Sequence, residues 1–251
     1  MKILIDGYGL VAQSVLRKLL NIHRVPSSNI FVNTYDSPEN YQFKFYCLSR
    51  GIKVYTHSYN ENELLDEINN FNPEVLLSIY ARRIIPTNII AKSSLQSFNF
   101  HPSLLPNYKV CFSCPWAIIN GENVTGITIH ELAKEIDAGS IIFQKVIQIS
   151  KYDTAFSLYN KCALEFIINF DEFYSSLLSK TLIPEPMKPG GHYYPRKLPY
   201  NGFIDSSWPL HKIDAFIRAM HFPPHPAAIL KKNSVEVEVN SVSEYIKLVD
   251  Q

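Results

Sequence analysis

The sequence predicts an α/β fold: a doubly wound, Rossmann-like, mostly parallel sheet followed by a small C-terminal α+β domain. Three observations carry this. The chain opens MKILIDGYGL, an apolar run that enters a glycine turn. Short apolar runs then alternate with amphipathic stretches as far as Phe100, the pattern of βαβ units and a parallel sheet. Further on, LIPEPMKPGG breaks the pattern with proline and glycine. It divides an expected large domain, residues 1–181, from a small one, residues 182–251.

The elements follow in order. MKILIDG is a short buried strand, and VAQSVLRKLL is a helix with Val11, Val15, Leu16 and Leu19 on one face. Gly7, Gly9 and Ala12 match a dinucleotide fingerprint, with Asp36 as the acidic residue such a site needs. The same residues also describe a tight strand-to-helix turn that binds no nucleotide. Ile30–Thr34 reads as the second strand, residues 40–50 as the second helix and GIKVYTH as the third strand. Asn60 can cap a helix whose Leu64, Leu65 and Ile68 face the sheet. PEVLLSIY is the fourth strand, read as fully apolar in the manner of a central parallel strand. The run from Leu95 to Phe100 is the fifth.

GENVTGITIHEL and SIIFQKVIQI alternate as an antiparallel pair, with His130 read as structural or edge-exposed. Asp153 or Thr154 then caps a long helix with Leu158, Cys162, Phe166 and Phe170 inward. In the last part, Trp208–Met220 reads as a short amphipathic helix and Ala228–Val239 as a hairpin around Lys232 and Asn233.

Composition excludes some functions. The 251 residues carry a net charge of +1, so no global basic field draws a polynucleotide. No apolar stretch is long enough to span a bilayer, and Asp6 interrupts the N-terminal run before it could act as a signal peptide. The cysteines Cys47, Cys111, Cys114 and Cys162 form no disulfide scaffold, so the expected home is a reducing cytoplasm. CFSC is a CxxC, open to a redox, half-metal or cleft-lining reading. No second pair at zinc-like spacing follows, and no metal is expected.

Three polar side chains are candidates for chemistry. Asn99 and His101 lie two apart in a strand, so they project from one face at its C-terminal end. Pro102 keeps His101 extended, and Pro106 helps fix the loop beyond it. Asp137 lies in the turn DAG, where Gly139 is free to take an unusual backbone angle. An amide donor, a histidine and an orienting carboxylate are the parts acyl transfer needs. A strand-end histidine bonded to backbone and a capping aspartate would read the same.

FNFHPSLLPNYK, PWAIINGE and GITIHELAKEIDAGSII resemble the folate-dependent formyltransferase family. The resemblance implies the formyltransferase fold, with Asn99, His101 and Asp137 at the catalytic positions. It implies 10-formyltetrahydrofolate as formyl donor and an amine as acceptor. Tyr80, Ala81, Ile136 and Gly139 would lie along the folate. The family usually has glycine where this chain has Val110, so the loop is expected to take a different path.

The small domain, with YYPRK and IDAFIRAMHFPP, is similar to that of nucleotide-sugar N-formyltransferases. That branch implies dTDP-4-amino-4,6-dideoxyglucose as acceptor, for O-antigen and lipopolysaccharide synthesis, and a homodimer with no nucleic-acid or membrane partner. Arg82, Arg83, Ser113, Tyr193, His221 and Phe222 are then the substrate-side residues, the arginines for a diphosphate. A methionyl-tRNA formyltransferase and an NAD-dependent oxidoreductase are the alternatives.

Overall fold

The computed structural model describes residues 1–56, 61–90, 96–233 and 235–250. The expected cap at Asn60 and the expected strand ends at His57 and Leu95 lie outside these residues. The strands are β1 (Ile3–Gly7), β2 (Ile30–Thr34), β3 (Lys53–Thr56), β4 (Val75–Ile79), β5 (Gln96–His101), β6 (Lys109–Val110), β7 (Val124–Glu131), β8 (Ile141–Gln148), β9 (Tyr193–Tyr194), β10 (Ala228–Lys232) and β11 (Val235–Val239). The helices are α1 (Gly9–Asn21), α2 (Tyr41–Ser49), α3 (Glu61–Phe71), α4 (Thr87–Ile90), α5 (Ser113–Ile119), α6 (Ala155–Ser179), α7 (Leu210–Met220) and α8 (Val242–Val249).

Among the described residues the main sheet has the order β3-β2-β1-β4-β5-β7-β8. The first five are parallel, and β7 runs antiparallel to β5. This is the doubly wound order, extended by the antiparallel strands the alternation predicts. β1, β2 and β4 are buried along their whole length.

The pleat sorts the side chains. Leu4, Phe31 and Leu76 meet Leu64 and Ile68 of α3 on one face. On β5, Phe98 and Phe100 turn the opposite way, their ring centroids 5.2 and 5.7 Å from that of Phe173 in α6. The alternation leaves Ser97, Asn99 and His101 on the α3 face. Register then lines up a polar row across five strands. Asp6 pairs with Asn33 and Ser78, Ser78 with Asn99, and Asn99 with His130. β4 is therefore not fully apolar: Ser78, 3% exposed, is its exception.

The glycine turn is closed by side chains. Buried Asn40 accepts from the Gly9 N–H at 2.9 Å and donates to Thr34 Oγ1 and to the Tyr35 carbonyl, both at 2.7 Å. A Cβ on Gly7 would stand 2.7 Å from that of Ala12, so glycine here serves close packing. Asp36 pairs with Lys44 at 2.9 Å. The amide a dinucleotide phosphate would use is thus already bonded.

The chain packs as two compact units that interleave along the sequence. The first comprises residues 1–101, 128–144 and 164–187; the second comprises 102–127, 145–163 and 188–251. The stretch after the proline-glycine segment thus packs with two earlier ones. In the second unit, Tyr194 stacks on Trp116 at 4.6 Å and on Tyr108 at 5.5 Å. Asn120 donates to the hydroxyls of both tyrosines, and Tyr108 donates to Glu122 at 2.6 Å. Ile213, Phe216, Ile217 and Met220 of α7 are buried as expected. Thr154 caps α6 by accepting from the Ser157 N–H at 3.1 Å. β10 and β11 form the expected antiparallel hairpin.

Val110 holds φ +79°, between Tyr108 at +59° and Phe112 at +57°. The loop keeps the left-handed turn and a β-branched side chain bears it, pinned by pairing of β6 with β9.

Candidate active site

The site is built at the C-terminal ends of β4 and β5 and beside β7, all within the first unit. Asp137 is its hub. Its Oδ2 lies 3.4 Å from His101 Nδ1, and its Oδ1 lies 3.3 Å from His130 Nε2 and from Asn99 Nδ2. Asp137, His101 and His130 are 9%, 4% and 1% exposed, so these contacts act with little screening by water. The three residues singled out in the sequence meet.

The turn that delivers Asp137 works differently from expectation. Asp137 itself takes φ +49°, while Gly139 is absent from the positive-φ glycines. Gly139 is required because a Cβ there would stand 1.9 Å from the Glu131 carbonyl oxygen. Aspartate tolerates the left-handed region better than most residues. The close backbone approach excludes any side chain at 139.

Of the two readings of His130, burial excludes the exposed edge and leaves the structural one. Its Nδ1 lies 2.7 Å from the Glu131 carbonyl, which only accepts, so Nδ1 carries a proton. In the neutral ring Nε2 then accepts from Asn99 Nδ2 at 3.2 Å. The missed signal is the alternation in GITIHEL, which puts Thr128 and His130 on one face. Ser78 was also missed: its hydroxyl lies 2.8 Å from Asn99 Oδ1. Its signal is a lone hydroxyl in an otherwise apolar strand.

Tyr80 follows β4 with φ +55°, and its ring meets Phe166 edge-on at 5.8 Å. Ala81 and Ile136 are half-buried. The Arg82 guanidinium lies 3.9 Å above the Tyr8 ring and is exposed. Arg83 is half-buried, 5.6 Å from the Tyr35 ring. A cavity of about 110 Å³ lies beside it, lined by Leu4, Leu76, Ile85 and Ile89 with Asp6 and Asn33. Burial pushes the Asp6 carboxyl up to about 7, against the opposing pull of a hydrogen bond from Asn33 and the charge of Arg83.

Ser113, Tyr193, His221 and Phe222 belong to the second unit. Ser113 donates to the Pro102 carbonyl at 2.8 Å and is 5% exposed. Tyr193 is 62% exposed. The His221 carbonyl accepts from the Phe156 N–H at 3.1 Å, and the Phe222 ring packs on Phe156 and Tyr159 at 5.5 and 5.2 Å. Cys114 is buried and Cys111 half-buried, both as free thiols. No cluster of three or more histidine, cysteine, aspartate or glutamate side chains suited to a metal ion occurs among the described residues.

Residues 18–165 match the family described as formyl transferase. The chain is 33% identical over 255 residues to GDP-perosamine N-formyltransferase of Brucella melitensis, covering 99% of this chain and 95% of that protein. Among solved structures, it is similar to WlaRD, a sugar 3N-formyl transferase determined with dTDP and 5-N-formyl-THF. That match has TM-score 0.76 and 25% identity, over 94% of this chain and 84% of the other. The fold also matches an N-formyltransferase of Helicobacter canadensis determined with folinic acid and dTDP-3-aminofucose. There the TM-score is 0.77 at 23% identity, over 94% of this chain and 86% of that one.

Proposed function

The chain belongs to the formyl transferase family, and from that premise we propose that it formylates the amine of a nucleotide-linked amino sugar with 10-formyltetrahydrofolate. One observation carries the reading: Asn99, His101 and Asp137 converge with 3.3–3.4 Å contacts in a buried cluster.

Residues beyond those expected would also suit the donor. Ile85, Ile89 and Leu76 offer apolar walls to a flat ring, and Asp6 Oδ1 is buried without a hydrogen-bond partner among the described residues. A ring bearing N–H groups would supply one. Tyr80, Ala81, Ile136 and Gly139 would border the rest of the donor. When bound, the donor would supply an acyl carbonyl whose oxygen becomes negative as the amine attacks; the bond from that carbon to the folate nitrogen then breaks, and that nitrogen leaves with the proton the amine gives up.

Asn99 keeps one N–H on His130 Nε2, and the other, at rest on Asp137 Oδ1, would turn to that acyl oxygen. His101, its Nδ1 turned to Asp137, holds the imidazolium charge beside the same oxygen and offers Nε2 for proton transfer. Asp137 orients the ring and stabilises its charged form. His130 holds Asn99 from the far side, its Nε2 accepting an N–H of the carboxamide.

The acceptor expected from the sequence is dTDP-4-amino-4,6-dideoxyglucose, in support of which stands the fold match to WlaRD, determined with dTDP. The near-full-length Brucella relative favours a second reading, GDP-perosamine. For the diphosphate the sequence favours Arg83, whereas exposure favours Arg82, whose guanidinium stacks on the Tyr8 ring while Arg83 is half-buried near Tyr35. The net charge of +1 argues against tRNA, and the bonded Gly9 amide argues against NAD. No helix among the described residues is long and apolar enough to cross a membrane. A cytoplasmic homodimer serving O-antigen synthesis is the wider setting proposed.

The test is incubation with 10-formyltetrahydrofolate and a panel: dTDP- and GDP-linked 4-amino sugars, dTDP-linked 3-amino sugars and charged initiator tRNA. The expected result is one added carbonyl on a nucleotide sugar. Formylation of tRNA alone would overturn the reading.

A further inference from the structure

We propose that Ser78 is a positioning residue for the transfer step, holding the Asn99 carboxamide with its nitrogen toward the reacting carbonyl; this rests on the formyl-transfer reading. A carboxamide is nearly symmetric in shape, and half a turn exchanges nitrogen for oxygen. Only the nitrogen can donate to an oxygen that becomes negative. The oxygen must therefore be held on the other side.

The neighbours of Asn99 divide accordingly. On one side stand acceptors: Asp137 Oδ1 at 3.3 Å and, in the neutral ring, His130 Nε2 at 3.2 Å. On the other side Ser78 Oγ–H donates to Asn99 Oδ1 at 2.8 Å. Ser78 and Asn99 are register partners on adjacent parallel strands, so neither drifts without breaking the ladder. A hydroxyl in β4 costs stability unless bonded, and Ser78 is 3% exposed. Its bond is spent on the residue whose orientation the chemistry needs. Remove the hydroxyl, and the carboxamide oxygen loses its donor and the group is free to rock.

Such loosening weakens an interaction made chiefly in the transition state. It lowers kcat and leaves KM alone. Ser78→Ala is expected to lower kcat by about tenfold or more, with KM for donor and acceptor within about twofold. Ser78→Thr keeps the hydroxyl and a shape suited to a strand, and is expected within about threefold of wild type. Should Ser78→Ala fail to fold, Ser78→Cys replaces the donor by a weak one and is expected to show the same kcat loss. A purely structural role would lower activity equally in any background. In an Asn99→Ala chain, Ser78→Ala is expected to cost nothing further.

Wild-type kcat in Ser78→Ala, or an equal loss in the Asn99→Ala background, overturns the proposal while the transferase reading stands. An unmutated chain that formylates no nucleotide sugar overturns both.

Discussion

Asp137 Oδ1 lies 3.3 Å from His130 Nε2 while its Oδ2 lies 3.4 Å from His101 Nδ1, so one carboxylate lies against two imidazoles, one at each oxygen. The second imidazole is tied down at its far nitrogen by the Glu131 carbonyl. Its near nitrogen accepts from Asn99, which also donates to Asp137, so the ring fixes the carboxamide between them. His130→Ala should therefore lower kcat by about tenfold while the chain stays folded, since an orienting partner is lost and no reacting group is. Steady-state rates of the variant check this. Unchanged kcat would mean that Ser78 and Asp137 alone fix the carboxamide.

Val110 bears φ +79° without glycine's freedom. A β-branched residue in that region costs roughly 1–3 kcal/mol, and glycine repays roughly 0.5–1 of it in unfolded-chain entropy. Val110→Gly should stabilise the chain by about 1 kcal/mol, a rise of roughly 2–4 °C in Tm. Thermal unfolding reads it directly. A fall in Tm would show that the packing of the valine side chain outweighs its strain.

Asp6 gives stability a pH slope. Its folded carboxyl titrates near 7 against an ordinary 3.8. The neutral acid is favoured in the fold, so the associated stability is full below about pH 3.8 and is lost as pH rises to about 7. The groups around it are Asn33 and Tyr35 from the β2 side, Arg83 from the loop after β4, and apolar Leu64 and Ile68 from α3. The displacement corresponds to on the order of 4 kcal/mol. Asp6→Asn cannot ionise, so its Tm should gain on wild type as pH rises across that window and not beyond. Parallel curves for the two proteins would contradict the assignment.

Asn40 makes three hydrogen bonds that close the glycine turn, and it is fully buried. Asn40→Ala leaves the Gly9 amide and the Tyr35 carbonyl without that partner. It should cost about 3 kcal/mol in denaturant unfolding. A cost below about 1 kcal/mol would show that other groups or water take over those bonds.

Much of this was legible in the sequence, for identifiable reasons. The period-2 placement of Asn99 and His101 was readable because a strand admits one geometry, and the apolar runs set the order of β1 to β5. The contacts of His130, read as structural or edge-exposed, and of Ser78 depend on cross-strand register, which no single segment displays. Gly139 was noticed for the wrong property: nothing local reveals that the Glu131 carbonyl would stand where its side chain should be. At Val110 the strain was readable from the residue type, but the pairing of β6 with β9 that accompanies it was not. The grouping of residues 102–127 and 145–163 with 188–251 is likewise a tertiary fact, invisible to a linear boundary.

The most direct test of the central claim is to separate chemistry from binding in His101→Ala. Calorimetry with the formyl donor and single-turnover formation of formylated nucleotide sugar would be measured on wild type and variant. The account predicts donor affinity within about threefold and a transfer rate reduced by roughly a hundredfold or more. A wild-type transfer rate in that variant would contradict it.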